Sequence, residues 1–233
     1  MPIFNEVKTC GLVIDEILKQ ESLPYSIELI IVESGSDDGS RDLVIRYQDD
    51  PRVHIIFQSQ PEGKGAAVAL GLKVSTGSII LIQDGDLEYS ISDHPRLVQP
   101  LLESRCDVVL GARFNTFRGM RTMPDNRVRQ TFTNFGHVLF AGIFNVLFST
   151  NYKDPFTMFK VFKSECVSGW TFRSKRFDFD WELLAMFERR SFDILEIPVS
   201  YQSRGYSEGK KVRLFRDPAS WIWAAIRVRL ARR

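Results

Sequence analysis

The chain has 233 residues, 44% of them hydrophobic and 26% charged, with a net charge of +2. This composition excludes a disordered chain, and three cysteines without metal-type spacing argue against a disulfide framework or a cysteine-bound metal. No N-terminal signal peptide is recognisable, and the most apolar stretch (132–149) contains two asparagines and a histidine and is too short to span a membrane.

The first 110 residues alternate strand-like and helix-like segments. Nearly continuous apolar runs favour parallel strands covered on both faces, at 27–32, 52–57, 78–83 and 106–112. The intervening segments favour helices, at 5–20, 40–48, 63–75 and 93–104. Repeated strand–helix units predict an α/β fold with a doubly wound sheet, whose ligands bind beyond the carboxyl ends of the strands.

Only Met1 to Ile3 precede the first helix-like segment. The first strand is therefore either a stub or begins before this sequence does. We expect the shortened strand to cost stability or activity, and an N-terminally extended chain that gains neither would contradict this expectation.

The second half of the sequence is less regular. In chain order, its predicted elements are an Arg-rich loop at 113–131, a helix at 126–148, a strand at 156–162, a helix at 180–190, a strand at 192–201 and a loop at 203–211. No repeat or linker indicates a second domain. We therefore predict one domain over 1–216, followed by a Trp- and Arg-rich helix over 217–233 that is not a separate domain.

Two aspartates, Asp84 and Asp86, follow the strand predicted at 78–83. Carboxylates this close repel each other unless a cation lies between them or they face different ways. Oxygen ligands suit Mg²⁺ or Mn²⁺, which commonly also bind substrate phosphates. The pair indicates either a metal site that holds a diphosphate or a polar turn whose aspartates cap the next helix.

Other strand ends and one helix start carry polar residues. Glu33 and Ser34 end one strand, and Asn5 and Glu6 follow the short first one. The helix at 63–75 opens with Gly-Lys-Gly, which suits either an anion-facing helix start or simply a flexible one. The three histidines, His54, His94 and His137, are scattered and indicate structural or surface positions.

Taken in order, these segments resemble the family 2 glycosyltransferases with the GT-A fold, and among them the polyprenyl (dolichyl) phosphate hexosyltransferases. The likeness covers nearly the whole chain. It is carried by "PIFNE" (2–6), "VESGSDDGS" (32–40), "GKGAA" (63–67), "DGDLEYS" (84–90), "GARF" (111–114), "DPFTMFKVF" (154–162) and "EIPVSYQSRGYSEGKK" (196–211). It implies a single GT-A domain, with a Rossmann-like, mostly parallel sheet flanked by helices.

The resemblance also implies residue roles for inverting transfer of a hexose from a UDP- or GDP-linked sugar to a dolichyl or undecaprenyl phosphate. The residues implied at the nucleoside are Pro2, Phe4, Glu6, Val32 and Glu33. Asp84 and Asp86, with Gly85 between them, would hold Mg²⁺ or Mn²⁺ and the diphosphate. The residues implied to contact negatively charged phosphate groups are Arg113, Lys160, Arg204 and Lys210. Glu33-Ser34 replaces the family's usual Asp-Asp pair, which leaves the donor open.

The acceptor decides whether the reaction needs a base. Departure of the nucleotide puts negative charge on its diphosphate, which a cation at Asp86 and basic side chains can offset. A hydroxyl acceptor must also lose a proton, and Asp180 is the candidate base unless it is the N-cap of the following helix. Glu182 could instead hold a nearby Arg or Lys. A phosphate acceptor is already anionic, so Asp180→Asn should be nearly silent with phosphate and severe with a hydroxyl.

The C-terminal end is basic: residues 201–233 carry a net charge of +7. The candidate acceptor-phosphate cluster is Arg204, Lys210, Lys211, Arg213 and Arg216, in a loop that could close over the donor; the alternative is a solvated basic surface. Trp221 and Trp223, with the Phe-rich helix at 132–148, indicate a face lying on the cytoplasmic side of a membrane. The alternative is that both helices pack on each other or on a partner, either a second copy or a membrane protein.

Three functions therefore stay open. The first is hexose transfer to a polyprenyl phosphate, and the second is transfer to the hydroxyl of a glycan or glycolipid on the same fold. The third is a non-catalytic module that binds a nucleotide or an anionic lipid. Nucleic acid is not an indicated partner, because the basic residues are not interleaved with aromatics in a reader pattern.

Overall fold

A three-stranded parallel sheet forms the N-terminal half of the fold. In the computed structural model of the protein, the described residues are 1–20, 23–113, 127–203 and 217–231. The sheet has the order β1-β2-β3, with β1 (Pro2–Ile3), β2 (Leu29–Glu33) and β3 (Val53–Phe57). The first three helices follow these strands in turn: α1 (Cys10–Leu18), α2 (Ser40–Ile45) and α3 (Lys64–Val74). This half is the repeated strand–helix pattern that the sequence predicts.

Helix α1 begins five residues later than its apolar pattern predicts. Asn5 has a φ of 52°, in the left-handed region that interrupts a right-handed helix. Its side-chain amide donates to Asp37, and its backbone N–H donates to Ser36. The residues before α1 are therefore held as a loop against the end of β2, and the first strand is the predicted stub of two residues.

A four-stranded mixed sheet forms the second half. Its order is β4-β6-β5-β7, with β4 (Ile79–Leu81), β5 (Val108–Ala112), β6 (Lys160–Lys163) and β7 (Ile194–Pro198). β5 and β7 are parallel, but β6 runs antiparallel to both β4 and β5. The expectation of parallel neighbours is therefore wrong for β4, because β6 returns after a long helix and inserts beside it.

The remaining α-helices cover this sheet; the last three of them build the main core, and the first packs in a separate apolar cluster. They are α4 (His94–Leu102), α5 (Arg127–Phe148), α6 (Phe179–Arg189) and α7 (Asp217–Leu230). Helix α6 is buried from Phe179 through Phe187 and packs among α5, α7 and the sheet. Trp181 stacks on Phe156 with ring centroids 4.1 Å apart. None of the helices in the described part of the chain has the length and apolar content needed to cross a membrane.

Two glycines bring the start of α3 directly onto the turn before α6. Gly63 has a φ of +107°, and a Cβ there would lie 2.4 Å from the carbonyl oxygen of Lys175. A Cβ on Gly65 would lie 2.5 Å from Cβ of Phe179. This contact admits no side chain, so the Gly-Lys-Gly start places Lys64 beside the first turn of α6.

Candidate active site

Charged side chains from four elements converge where β4 ends and β6 begins. Asp84 and Asp86 follow β4, and Lys160 is the first residue of β6. The two strands are antiparallel, with Leu81 opposite Val161, so the end of one lies beside the start of the other. The first residue of α3, Lys64, and the first turn of α6, with Asp180, complete the group.

Lys64 forms a close ion pair with Asp84. Its ammonium nitrogen lies 2.6 Å from one carboxylate oxygen and 2.7 Å from the other. Burial disfavours the charged form of Lys64, but the carboxylates of Asp84, Asp180 and Asp86 outweigh it and raise its pKa. The backbone N–H of Ala66 is bonded to the carbonyl of Lys175. The Lys64 side chain, and not this helix amide, therefore faces the aspartates.

Neither aspartate caps a helix. Asp86 is 8% exposed, and its Oδ1 accepts a hydrogen bond of 3.0 Å from the backbone N–H of Glu88. The next helical turn is Ile91–Asp93, and Asp93 is the N-cap residue of α4. The helix-capping alternative is therefore wrong for both residues.

The carboxylates suit a cation that also binds phosphate. The ammonium of Lys64 already lies against both oxygens of Asp84, which shows that positive charge is favoured there. Within the ranges that the structure describes, no group of three or more His, Cys, Asp or Glu side chains gathers as a metal cage. Mg²⁺ fits such a site because it keeps several waters and is bound by one or two carboxylates plus substrate phosphates.

Lys160 and Asp180 form a second, more deeply buried pair. The Lys160 nitrogen lies 3.6 Å from Asp180 Oδ1 and also donates to the carbonyl of Thr157. Burial lowers the pKa of Lys160 and raises that of Asp180, and their mutual attraction opposes both shifts. Asp180 is not the N-cap of α6, because Asp178 occupies that position. The capping alternative for Asp180 is therefore wrong.

Arg113 is held by Asp154, which the sequence analysis did not single out. The carboxylate of Asp154 accepts bonds from the Arg113 backbone N–H at 2.9 Å and from two guanidinium nitrogens at 2.7 Å each. The guanidinium also lies 5.5 Å from the ring centroid of Tyr201. The sequence did offer one indication that Asp154 belongs to the site. It is the first residue of the "DPFTMFKVF" segment, which also carries Lys160.

The residues implied at the nucleoside lie in β1, in the loop that follows it and at the end of β2. Pro2, Phe4 and Glu6 are partly buried, and Val32 is buried. The Glu33 carboxylate is fully buried; it accepts from the Ser36 backbone N–H at 2.6 Å and lies 3.1 Å from Nε of Arg41. Glu33 thus braces its own loop, and contact with a base or ribose stays a prediction for all five.

Glu182 has the structural role that the sequence left as an alternative. Its carboxylate accepts from Arg227 of α7 at 2.9 Å and from the backbone N–H of Ser174 at 2.7 Å. The prediction that it holds a nearby Arg or Lys is confirmed. The five basic residues of the predicted acceptor-phosphate cluster, Arg204, Lys210, Lys211, Arg213 and Arg216, lie outside the described residues.

Comparison with known proteins supports one family. Residues 1–184 match the model of the family described as Glycosyl transferase family 2. The chain is 28% identical over 227 residues to dolichyl-phosphate beta-glucosyltransferase ALG5C of Trichomonas vaginalis, covering 90% of this chain and 65% of that protein. It is 26% identical over 204 residues to glycosyltransferase AglJ of Haloferax volcanii, covering 87% and 62%. It therefore spans somewhat less than two thirds of each relative.

Solved structures show the same fold. Glucosyl-3-phosphoglycerate synthase of Mycobacterium tuberculosis in complex with UDP has a TM-score of 0.68 at 20% identity, covering 98% of this chain and 76% of that one. A structure of the same protein with Mn²⁺, UDP-glucose and glycerol 3-phosphate has a TM-score of 0.63 at 20% identity, covering 98% and 77%. The predicted α/β fold of the GT-A type is confirmed.

Proposed function

The chain belongs to glycosyl transferase family 2, and from that membership we propose that it moves one hexose, with inversion, from a nucleotide-sugar to a polyprenyl phosphate. The observation that carries the proposal is the convergence of Asp84, Asp86 and Lys64 where β4 ends. Similarity to a dolichyl-phosphate glucosyltransferase supports the acceptor. The helix α7 buries Ala224 and Ala225 in the main core, which supports a single domain that includes the C-terminal helix.

The donor half of the site would stabilise the departing diphosphate. Asp84 and Asp86 would hold Mg²⁺ or Mn²⁺, which when bound supplies positive charge to the leaving group. Lys64 can exchange its bond with Asp84 for one with a phosphate oxygen. Its ammonium is charged, and a diphosphate held beside Asp84 would lie within its reach. Such preorganised charge acts mainly on the transition state, where the diphosphate becomes more negative.

The acceptor half favours a group that needs no base. A phosphate monoester is already an anionic nucleophile and requires placement and charge neutralisation, which Arg113 and Lys160 would supply. Asp180 is engaged with Lys160 and is buried, so it is poorly placed to take a proton from an incoming hydroxyl. One observation still favours the hydroxyl-acceptor alternative. Asp180 Oδ1 is buried and has no hydrogen bond among the described residues, so it could accept one from a hydroxyl.

The structure changes what an Asp180→Asn variant would show. Removing the carboxylate leaves the buried ammonium of Lys160 without its counter-ion, and a buried charge without a partner is costly. We therefore expect Asp180→Asn to impair the protein with any acceptor. Loss of transfer by that variant would not identify a base, and the acceptor has to be tested with substrates.

The test compares two acceptors that differ only in the phosphate. Wild-type protein receives a panel of UDP- and GDP-linked hexoses with Mg²⁺ or Mn²⁺, together with a polyprenyl phosphate or the corresponding polyprenol. We expect one donor to give a polyprenyl-phosphate hexose, and the alcohol to give no product. Product from the alcohol alone would contradict the phosphate acceptor and favour a hydroxyl acceptor. Nucleotide binding without product from any pair would favour a non-catalytic module.

We propose that the protein attaches to the cytoplasmic face of a membrane, and an apolar surface on α5 and α7 supports the attachment. A groove of about 590 Å³ between the two helices is lined by Val138, Leu139, Gly142, Ile143, Val146, Leu147, Ile222 and Ile226. Trp223 is 63% exposed, whereas Trp221 is partly buried and lies close to Phe140 and Trp181. The two helices pack on each other, as one of the two alternatives predicts, and still leave this face open. Attachment of the open face to a membrane stays a proposal.

A substitution at the most exposed apolar residue of this face should weaken membrane binding. Val146 is 84% exposed. Val146→Asp would place a charge where an apolar side chain enters lipid. We expect a loss of partitioning of about ten- to a hundredfold, since burying a valine is worth about 1.5–3 kcal/mol. Flotation with vesicles containing anionic lipid measures the change. Leu12→Asp, at an exposed leucine of α1, is the matched control and should bind as wild type; equal binding by all three would contradict the membrane proposal.

A further inference from the structure

The backbone of the D-x-D segment, residues 84–86, is held by side chains on both sides. The carbonyl of Asp84 accepts a hydrogen bond of 3.0 Å from Nε2 of Gln83. The next carbonyl, of Gly85, accepts one of 2.8 Å from the hydroxyl of Thr9 in the loop before α1. Two consecutive peptide units are thus fixed before any ligand arrives.

Gln83 is itself oriented by His94. The amide oxygen of Gln83 lies 3.0 Å from Nε2 of His94, the first residue of α4. Because the Gln83 nitrogen donates to Asp84, its oxygen faces the ring, and Nε2 of His94 is the donor in this bond. Burial lowers the pKa of His94 to about 4, so a neutral ring carrying this proton is the expected form at neutral pH.

Burying the Gln83–His94 pair behind the D-x-D segment costs more free energy than burying apolar side chains there would. Gln83 is 3% exposed and His94 is 7% exposed. Buried polar side chains lose hydration that only well-formed hydrogen bonds replace, whereas apolar side chains would fill the same volume without that demand. The His94 ring already packs near Phe159, with centroids 5.7 Å apart. The polar pair provides one hydrogen-bond donor with a fixed direction, the Gln83 amide nitrogen, which donates to the carbonyl between Asp84 and Gly85.

We propose that Gln83, held by His94, is a positioning residue that fixes the peptide between Asp84 and Gly85 so that the carboxylates of Asp84 and Asp86 keep their metal-binding orientation. The inference rests on the proposed function of these carboxylates. Groups that orient metal ligands without touching the metal commonly change its affinity by 10–100-fold when replaced. The bond from the Glu88 backbone N–H holds the Asp86 carboxylate, and Lys64 holds the Asp84 carboxylate. The two peptide carbonyls between these carboxylates accept their bonds from Gln83 and Thr9.

The test is Mn²⁺ affinity in Gln83→Leu, titrated by the resonance signal of free Mn²⁺ in the presence of UDP and, separately, of GDP. We expect a loss of about tenfold or more. The matched control is Gln20→Leu, which removes another side-chain bond of 3.0 Å to a backbone carbonyl, that of Ile91. The control should leave the Mn²⁺ affinity unchanged.

His94→Phe completes the experiment. It should weaken Mn²⁺ binding in the same direction as Gln83→Leu, and the double variant should bind no more weakly than Gln83→Leu alone, because the two residues act in series. Wild-type Mn²⁺ affinity in Gln83→Leu, or an equal loss in Gln20→Leu, would overturn the positioning role alone. Absence of Mn²⁺ binding by the wild-type protein with both nucleotides would overturn the metal site itself, and the positioning role with it.

Discussion

Replacement of Asp86 by alanine should reduce hexose transfer by about a hundred- to a thousandfold while the protein stays folded. The variant removes a carboxylate that would hold the cation against the departing diphosphate, and losses of two to three orders of magnitude follow removal of a single group that stabilises transition-state charge. The change in melting temperature should be small. The turn bond to the Glu88 backbone N–H is worth about 1 kcal/mol, or about 2–4 °C for a protein of this size.

The control for this experiment is an aspartate outside the site. Asp49 is exposed in the turn before β3, so Asp49→Ala should transfer hexose as the wild type does. Initial rates are measured with the donor and acceptor that give product with the wild-type protein. Normal turnover by Asp86→Ala would end the argument that these carboxylates serve the reaction.

Replacement of Asp154 by asparagine should destabilise the protein by about 3–5 kcal/mol, because it removes a buried carboxylate that accepts three hydrogen bonds from Arg113. The side chain of Arg113 is 8% exposed and that of Asp154 is inaccessible. The melting temperature should fall by about 6–20 °C. Transfer measured below that temperature should also fall, because Arg113 would no longer be held in place. Glu103→Gln breaks a carboxylate–arginine pair on the exposed surface and should leave the melting temperature unchanged.

The same pair gives a stability difference that depends on pH. Burial alone would raise the pKa of Asp154, but the positive charge of Arg113 outweighs it and lowers this pKa from 3.8 to about 2. A depressed pKa in the folded state contributes stability above the unfolded value and loses it as the pH falls through the folded one. Urea titrations should therefore show that the difference in free energy of unfolding between wild type and Asp154→Asn is largest at neutral pH. This difference should decrease as the pH falls from 3.8 to 2. A difference independent of pH would contradict the ion-pair explanation.

The sequence was sufficient to locate the edge of the sheet where the site lies. Strand β4 ends at Leu81, the apolar run continues to Ile82, and the two aspartates follow as the first charged residues after the strand. Similar local reasoning found α3, α4 and α6 to within about two residues of their ends. These features depend on the periodicity of a few neighbouring residues, which one sequence displays directly.

The partners of the site residues could not be found in this way. Lys64 is 20 positions from Asp84, and Arg113 is 41 positions from Asp154, so each pairing depends on how the strands are ordered. The antiparallel insertion of β6 between β4 and β5 decides that order, and no local pattern encodes it. The contact of Gln83 with His94 likewise depends on where α4 packs. His94, predicted to be structural or on the surface, is buried behind the D-x-D segment.

The central claim is that Asp84 and Asp86 hold a divalent cation together with the donor diphosphate. The most direct measurement is anomalous diffraction from crystals grown with Mn²⁺ and the nucleotide diphosphate that binds most tightly. We expect a manganese peak within coordination distance of the Asp86 carboxylate and of the diphosphate, with Lys64 released from Asp84 toward a phosphate oxygen. A bound nucleotide without manganese at this edge, and with the Lys64–Asp84 pair intact, would contradict the account.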